Sequence, residues 1–302
     1  MSKFEGVYAN LPTPFDDAGE KLDFQRLHSL IDFILESGVH GIACQLSSGE
    51  YPYLSHEERK RLAGEVVNYV SGRVPVLVGV SALTTAEAID LTVHAEALGA
   101  AAGMVMPLQF WPLKRHEVIA HFKRISRASP LPLGIYDNPR LGAAPFTGEM
   151  YKQLSDEANV QLCKDSSGDI TRVLEVSRLC GDKVAILHGD HMQMLAAYLF
   201  GAGGVCTAIA AVFPSVCLEL YHLSVVEKRW EEARRVFAAV EPIFRFFHEH
   251  SLARCVKEAS QLMGRPLGAQ RAPLSGLSAD ERQRIRELLE RHGYLPASRS
   301  DR

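Results

Sequence analysis

Eight short apolar runs punctuate the chain, and that alternation constrains the fold more than any other feature. They are Val7–Leu11, Gly41–Leu46, Val74–Val80, Gly103–Met106, Leu131–Tyr136, Val160–Lys164, Val184–His188 and Gly204–Ile209. Their starts lie roughly 20–35 residues apart, the length of a strand and its return helix. The run Val74-Pro-Val-Leu-Val-Gly-Val80 is apolar almost throughout, as expected of a strand covered on both faces of a parallel sheet. The intervening segments carry helix signals. Ser55-His-Glu-Glu58, Thr84-Thr-Ala-Glu87 and Ser278-Ala-Asp-Glu281 have the spacing of capping boxes. Asp23 can cap a helix whose Leu27, Leu30, Ile31 and Ile34 share one stripe. Gly38 and Gly99 stand where left-handed C-terminal caps belong.

Eight strands alternating with helices predict a closed parallel barrel. A doubly wound sheet would place a glycine-rich fingerprint after its first strand. Here Val7–Leu11 runs into Pro12-Thr-Pro14 instead. The alternation stops near residue 225, and three helices are expected over Val226–His248, Leu252–Met263 and Ala279–His292. The expected architecture is therefore a (β/α)8 TIM barrel over residues 1–225, with a C-terminal helical appendage over 226–302. Pro296 onward is expected to fray.

Composition narrows the function classes. The 302 residues are 47% apolar and 23% charged, with a formal net charge of −3. That balance favours neither nucleic acid nor an anionic membrane as partner. The six cysteines include no C-x-x-C pair, so a reducing, cytoplasmic setting without a disulfide framework is expected. No run is long enough to span a bilayer, and the first residues lack a signal-peptide core.

Barrels of this kind build their sites at the C-terminal ends of the strands. Strand six ends Val160-Gln-Leu-Cys-Lys164-Asp-Ser-Ser-Gly168. Alternation places Val160, Leu162 and Lys164 on one face, so Lys164 projects into the barrel mouth. Desolvation there disfavours an ammonium and favours a nucleophilic amine. The same run is compatible with a lysine paired to Asp165 or reaching water. Strand five ends in Tyr136, whose phenol can relay protons beside such an amine. A packed rim tyrosine fits equally well. Strand two ends Ser47-Ser48-Gly49-Glu50, either a small anion nest or an ordinary turn. In His188-Gly-Asp-His191 the two histidines do not share a strand face. Capping by Asp190 is favoured there over a metal site. Gly201-Ala-Gly-Gly204 precedes its strand and is expected to be a helix stop rather than a phosphate loop.

Together these segments resemble the dihydrodipicolinate synthase / N-acetylneuraminate lyase family of Schiff-base-forming class I aldolases. The resemblance rests on Pro12-Thr-Pro-Phe15, Ser47-Ser-Gly-Glu50, Tyr136-Asp-Asn-Pro139, Lys164-Asp-Ser-Ser-Gly-Asp169, Gly189-Asp190 and Arg271-Ala-Pro-Leu274. It implies Lys164 as the Schiff-base lysine, Tyr136 as the proton relay and Ser47 as the hydroxyl joined to it. Ser48 and Gly49 would hold the 2-oxo acid carboxylate, with Gly189 and Ile209 lining the site through their backbone. It also implies a homotetramer, a pyruvate-like substrate and no metal or organic cofactor. Three departures stand out. Leu46-Ser-Ser replaces glycine and two threonines. Pro107-Leu-Gln-Phe110 lacks the family's paired tyrosines. Arg140 follows Pro139 directly rather than two positions on, and is kept as a candidate substrate contact. The resemblance implies a lyase of the aldol type. The alternative is a dehydratase or deaminase of a deoxy-2-oxo acid or a hydroxyproline-derived imine.

Overall fold

The computed structural model describes residues 4–142 and 144–296. The tail beyond residue 296, where fraying is expected, lies outside them. Eight strands form one closed, all-parallel barrel in chain order. They are β1 (Gly6–Asn10), β2 (Gly41–Cys44), β3 (Val76–Gly79), β4 (Ala102–Val105), β5 (Leu133–Asp137), β6 (Val160–Asp165), β7 (Ala185–His188) and β8 (Gly204–Thr207), with β8 pairing back onto β1. Eight helices return the chain: α1 (Phe24–Glu36), α2 (His56–Val70), α3 (Thr85–Ala97), α4 (Arg115–Ala128), α5 (Gly148–Glu157), α6 (Thr171–Cys180), α7 (Met194–Leu199) and α8 (Pro214–Tyr221). Three more follow: α9 (Trp230–Glu249), α10 (Leu252–Leu262) and α11 (Ala279–Arg291). The expected (β/α)8 barrel with a helical appendage is the observed fold. Among the described residues no helix is long and apolar enough to cross a membrane.

Local chemistry accounts for the element ends. Ser55 and Ser278 form full capping boxes with Glu58 and Glu281. The Asp23 carboxylate accepts the Arg26 amide, and the Thr84 hydroxyl accepts that of Glu87. Strand β2 stops at Cys44, short of the expected Leu46, because Gln45 turns into the left-handed region at φ 58°. Strand β8 stops at Thr207, whose hydroxyl accepts the Ile209 amide and starts a short 3-10 turn. Helix α9 begins at Trp230 rather than Val226. Residues 222–226 extend α8 as a π-turn, and Lys228 then breaks the helix at φ 58°.

The barrel has two apolar layers. Tyr8, Leu77, Met104, Tyr136, Leu162, Leu187 and Cys206 pack together as the interior. The outer faces of the strands pack against the helices in a second, continuous cluster. Close packing inside requires glycine opposite bulk: a β-carbon on Gly134 would stand 2.4 Å from the Met104 sulfur. One expectation is corrected here. Val160 belongs to the outer cluster, while Leu162 belongs to the interior. The register of β5 against β6 shifts between Leu133 and Gly134, which face Val160 and Leu162. The resulting bulge leaves Gln161 exposed and breaks the alternation one step before Leu162.

The appendage joins the same core: Phe244 and Phe247 of α9, Cys255 of α10 and Ile285 of α11 all belong to the outer cluster. A buried ion pair ties it to the barrel mouth. Lys257 Nζ lies 2.6 Å from Glu50 Oε1, both side chains at most 2% exposed, and also donates to the Ala269 carbonyl. The Arg271 amide donates to the other Glu50 oxygen at 2.9 Å, while its guanidinium reaches Glu58 and the Gly19 carbonyl. Lys257→Met is expected to lower the unfolding free energy by ~3–5 kcal/mol, because it leaves the Glu50 charge buried alone. The double variant Glu50→Gln/Lys257→Met should recover most of that loss. Urea unfolding compares them, and equal midpoints for the two variants would contradict the expectation.

Candidate active site

A cavity of about 310 Å³ opens at the C-terminal end of the strands. Its floor is built from Asn10, Ser47, Ser48, Tyr136, Lys164, Ser166, Gly189 and Cys206. Its rim comes from Asn138, Arg140 and Leu141 after β5, Asp190 and His191 after β7, and Phe247, His248, Ser251 and Leu252 where α9 gives way to α10.

Lys164 is 3% exposed. Its Nζ lies 3.6 Å from the centroid of the Tyr136 ring and 3.4 Å from the Ser166 hydroxyl. Strand pairing sets Tyr136 directly opposite Lys164. Gly189 makes room for the amine: a β-carbon there would meet Ser166 Oγ at 2.1 Å and Lys164 Nζ at 3.0 Å. Its amide is anchored to the Asp165 carbonyl at 2.6 Å.

Tyr136 is fully enclosed and its hydroxyl has two polar neighbours. Ser47 Oγ lies 2.7 Å away, and Asn138 Nδ2 donates to it at 3.1 Å. Burial by itself would raise the phenol's pKa. The Lys164 charge, followed by the hydrogen bonds from Ser47 and Asn138, outweighs it and holds the phenol below its ordinary range. Such a phenol gives up and regains a proton more readily than a free tyrosine.

The Ser47–Gly49 segment is a single 3-10 turn. Its third amide, that of Gly49, is spent on the Leu46 carbonyl, whereas the first amides of such a turn have no partner within it. Asn10 donates to the Ser48 hydroxyl at 2.5 Å, and Thr13 donates to the Gly49 carbonyl at 2.5 Å. Six candidate residues thus meet at one cavity: Lys164, Tyr136, Ser47, Ser48, Gly189 and Arg140. Gly49 and Ile209 do not line it. Gly49 faces the Leu11 carbonyl. Ile209 is buried in the outer cluster beyond the end of β8, and Cys206, Thr207 and Ala208 take the wall instead.

Sequence reasoning passed over Asn10, Asn138 and Ser166, although Asn138 and Ser166 lie inside its own motifs. It had no means of finding Phe247 or His248, which come from α9. Nor did it find the group behind the site. Asp137, Asp165 and His188 stand side by side on three neighbouring strands, facing away from the cavity. His188 Nδ1 is 3.4 Å from the Asp165 carboxylate, and the Tyr151 hydroxyl donates to Asp137. Burial and the neighbouring Asp165 push the Asp137 carboxyl up to about 6. His191 turns elsewhere, to the Phe244 carbonyl, and Asp190 caps the turn through the Met192 amide.

Comparison with known proteins bears on this site. The model of the dihydrodipicolinate synthetase family matches residues 3–292. The chain belongs to that family. The 4-hydroxy-tetrahydrodipicolinate synthase of Methanocaldococcus jannaschii is 30% identical over 97% of this chain and 100% of its own length. A solved putative dihydrodipicolinate synthetase from Pseudomonas aeruginosa is 32% identical and superposes with a TM-score of 0.92, over 96% of this chain and 99% of that one. A prophage protein of the same family from E. coli K12, solved in complex with pyruvate, is 26% identical with a TM-score of 0.90 over 96% and 99% of the two chains. Family membership makes this chain an aldolase-type lyase.

The ionisation of Tyr136 offers a direct check on the geometry. A hydrogen bond donated to the phenolate favours it, so removing the donor raises the pKa. Asn138→Ala should therefore move the Tyr136 titration to higher pH, read as tyrosinate absorbance with a Tyr136→Phe protein subtracted. A shift to lower pH, or none, would show that Asn138 does not act on the phenol.

Proposed function

We propose that this lyase condenses Lys164 with pyruvate or a related 2-oxo acid and uses the resulting Schiff base to make or break a carbon–carbon bond. The observation that carries the proposal is the enclosed Lys164 amine stacked on a phenol that is itself hydrogen-bonded to Ser47. The substrate carboxylate sits at the Ser47–Ser48 turn, beside the Ser48 hydroxyl. This places the 2-oxo carbon next to the amine.

The neutral amine attacks that carbon, and Tyr136 delivers the proton that lets water leave. The iminium draws electrons from the neighbouring carbon, which loses a proton to the Tyr136 phenolate and becomes the enamine nucleophile. Its attack on an aldehyde forms the new bond, and the Tyr136–Ser47 pair supplies the proton to the new alkoxide. Water then releases the product and restores the amine. Cleavage is the same sequence reversed. No step requires a redox partner, because the iminium is the electron sink. In this chain the relay uses Tyr136 and Ser47, with Asn138 holding the phenol's hydroxyl, since the β4–α4 loop carries Phe110 and Trp111, which have no hydroxyl to contribute.

The decisive experiment adds pyruvate and then borohydride. An adduct carrying the reduced pyruvate mass should appear on Lys164 alone and be lost in Lys164→Ala. An adduct on Lys183, or none, would defeat the proposal. We extend the proposal to a cytoplasmic homotetramer. The exposed edge-to-face pair Phe110–Trp111 and exposed Leu83 give it apolar surface to bury. Sedimentation equilibrium should return about four chain masses; a monomer would count against it.

A further inference from the structure

Directly behind Tyr136 and Lys164 lies a polar group that the proposed reaction does not use. Asp137, Asp165 and His188 occupy one rung of the sheet, each next in sequence to a cavity residue: Asp137 to Tyr136, Asp165 to Lys164 and His188 to Gly189. All three are buried. Neighbouring strands stand about 4.8 Å apart, so side chains on one face of one rung are within reach of one another. His188 Nδ1 is 3.4 Å from Asp165 Oδ2. Tyr151 of α5 donates to Asp137 Oδ2 at 3.2 Å, and the Ser167 amide donates to Asp165 Oδ1 at 3.0 Å. Through its backbone the same rung holds the cavity floor. The Ser166 amide donates to the Asp137 carbonyl at 2.8 Å, and the Gly189 amide to the Asp165 carbonyl at 2.6 Å.

Asp137 Oδ1, Asp165 Oδ2 and both ring nitrogens of His188 are buried with no hydrogen-bond partner among the described residues. Two ionised carboxylates cannot satisfy each other, because both only accept, and side by side away from water they repel. A proton on Asp137 Oδ1 resolves this: it turns that oxygen into a donor toward the orphaned Asp165 oxygen, and a proton on His188 Nδ1 gives the same oxygen a second donor. The other titratable groups facing the rung do not remove the need for that proton. Arg172 of α6 lowers the Asp137 carboxyl but is bound to Glu175, and burial keeps the Tyr151 phenol and the Cys163 thiol protonated. The two carboxyls respond in opposite directions. Burial and then Asp165 push Asp137 up to about 6. Burial would raise Asp165 as well, but His188 and the Ser167 amide hold it below its ordinary range. Neighbouring carboxyls driven apart in this way share one proton.

We propose that Asp137, Asp165 and His188 are positioning residues that act as one proton-sharing clamp, fixing the ends of β5, β6 and β7 so that Tyr136, Lys164 and Gly189 meet in the reactive arrangement. The inference rests on the Schiff-base function proposed above. The clamp is tight while the shared proton is present. When Asp137 ionises, repulsion replaces its bond to Asp165, and the strand ends carrying Tyr136 and Lys164 are pushed apart. The Asp137 carboxyl lies higher in the folded protein than in the unfolded chain, so its stabilisation is complete in acid and is lost as the pH rises through about 6.

The test uses the whole protein and reads the exchange of pyruvate methyl protons for deuterium in heavy water, which needs only the Schiff base and its enamine. Asp137→Asn keeps a donor toward Asp165 and cannot ionise, whereas Asp137→Val has no donor. In acidic buffer, below the Asp137 range, the native protein and Asp137→Asn should exchange at similar rates. Asp137→Val should be about ten-fold slower at an unchanged half-saturating pyruvate concentration, because the reacting groups are misplaced. The ratio of the native rate to that of Asp137→Asn cancels the pH dependence of the amine and the phenol. That ratio should fall as the pH rises through about 6, and the native urea midpoint should fall relative to the same variant over the same range. With carbon-labelled aspartate carboxyls, the resonance lost in Asp137→Asn should titrate near 6 and move to lower pH in Asp165→Asn, where the like charge is gone. A rate ratio flat with pH, an Asn variant as slow as the Val variant, or a carboxyl titration unmoved by Asp165→Asn overturns the inference while leaving the Schiff base intact. A native protein that neither traps nor exchanges pyruvate overturns the Schiff-base function and with it the clamp's role, and the carboxyl titration then tells the two failures apart.

Discussion

One strand register underlies this active site. Pairing of β5 with β6 sets Tyr136 against Lys164, and the phenol and the amine have reciprocal effects. Lys164 lowers the phenol's pKa, and the aromatic face covers the amine. A slip of one residue would turn the slipped strand's side chain, Tyr136 or Lys164, out among the helices, where Asp137 and Asp165 now point. The register is held by barrel closure, by the Met104–Gly134 packing next to it and by the bulge at Gln161. The bulge absorbs the extra residue of β6 before it reaches Leu162, so the chemistry-bearing end of the strand is in phase.

Everything else at the cavity holds or balances that pair. Ser47 and Asn138 fix the phenol's hydroxyl, and Gly189 opens space beside the amine. The turn carrying Ser47 and Ser48 is fixed from two directions. Asn10 and Thr13 hold it from β1 and the loop after it, and Glu50 anchors its far end to Lys257 and Arg271 of the C-terminal region. The helical appendage is therefore part of the cavity in two senses: α10 braces the Ser47–Ser48 turn, and α9 supplies the wall that carries His248. The charge of that wall is set by Asp190, which is locked by the turn it caps.

The eight-fold alternation, the helix caps and the polar residues at the strand ends were legible because each is a local property. Apolar runs, capping boxes and the motifs ending β2, β5, β6 and β7 depend on residues within a few positions of one another. Errors arose where a local rule met a non-local constraint. Val160 was placed in the barrel interior because alternation has no knowledge of a bulge. Ile209 was implied by the family resemblance, and it lies beyond Thr207, where β8 gives way to a 3-10 turn. Gly49 was implied by the same resemblance as one of the pair that holds the carboxylate, and its amide is bonded to the Leu46 carbonyl.

The order of buried and amphipathic segments, with the chemistry at each strand end, by itself determined that this chain closes a parallel barrel around a lysine, a tyrosine and two serines. Only the tertiary structure decided that Arg140 is matched by Asp190, that His248 arrives from a distant helix, and that a buried Glu50–Lys257 pair fastens the appendage to the Ser47–Ser48 turn. Those facts are contacts between residues about 50 to more than 200 positions apart. Sequence spacing carries no signal for them, because closing such long loops depends on the packing of the whole barrel and not on any segment's own preference.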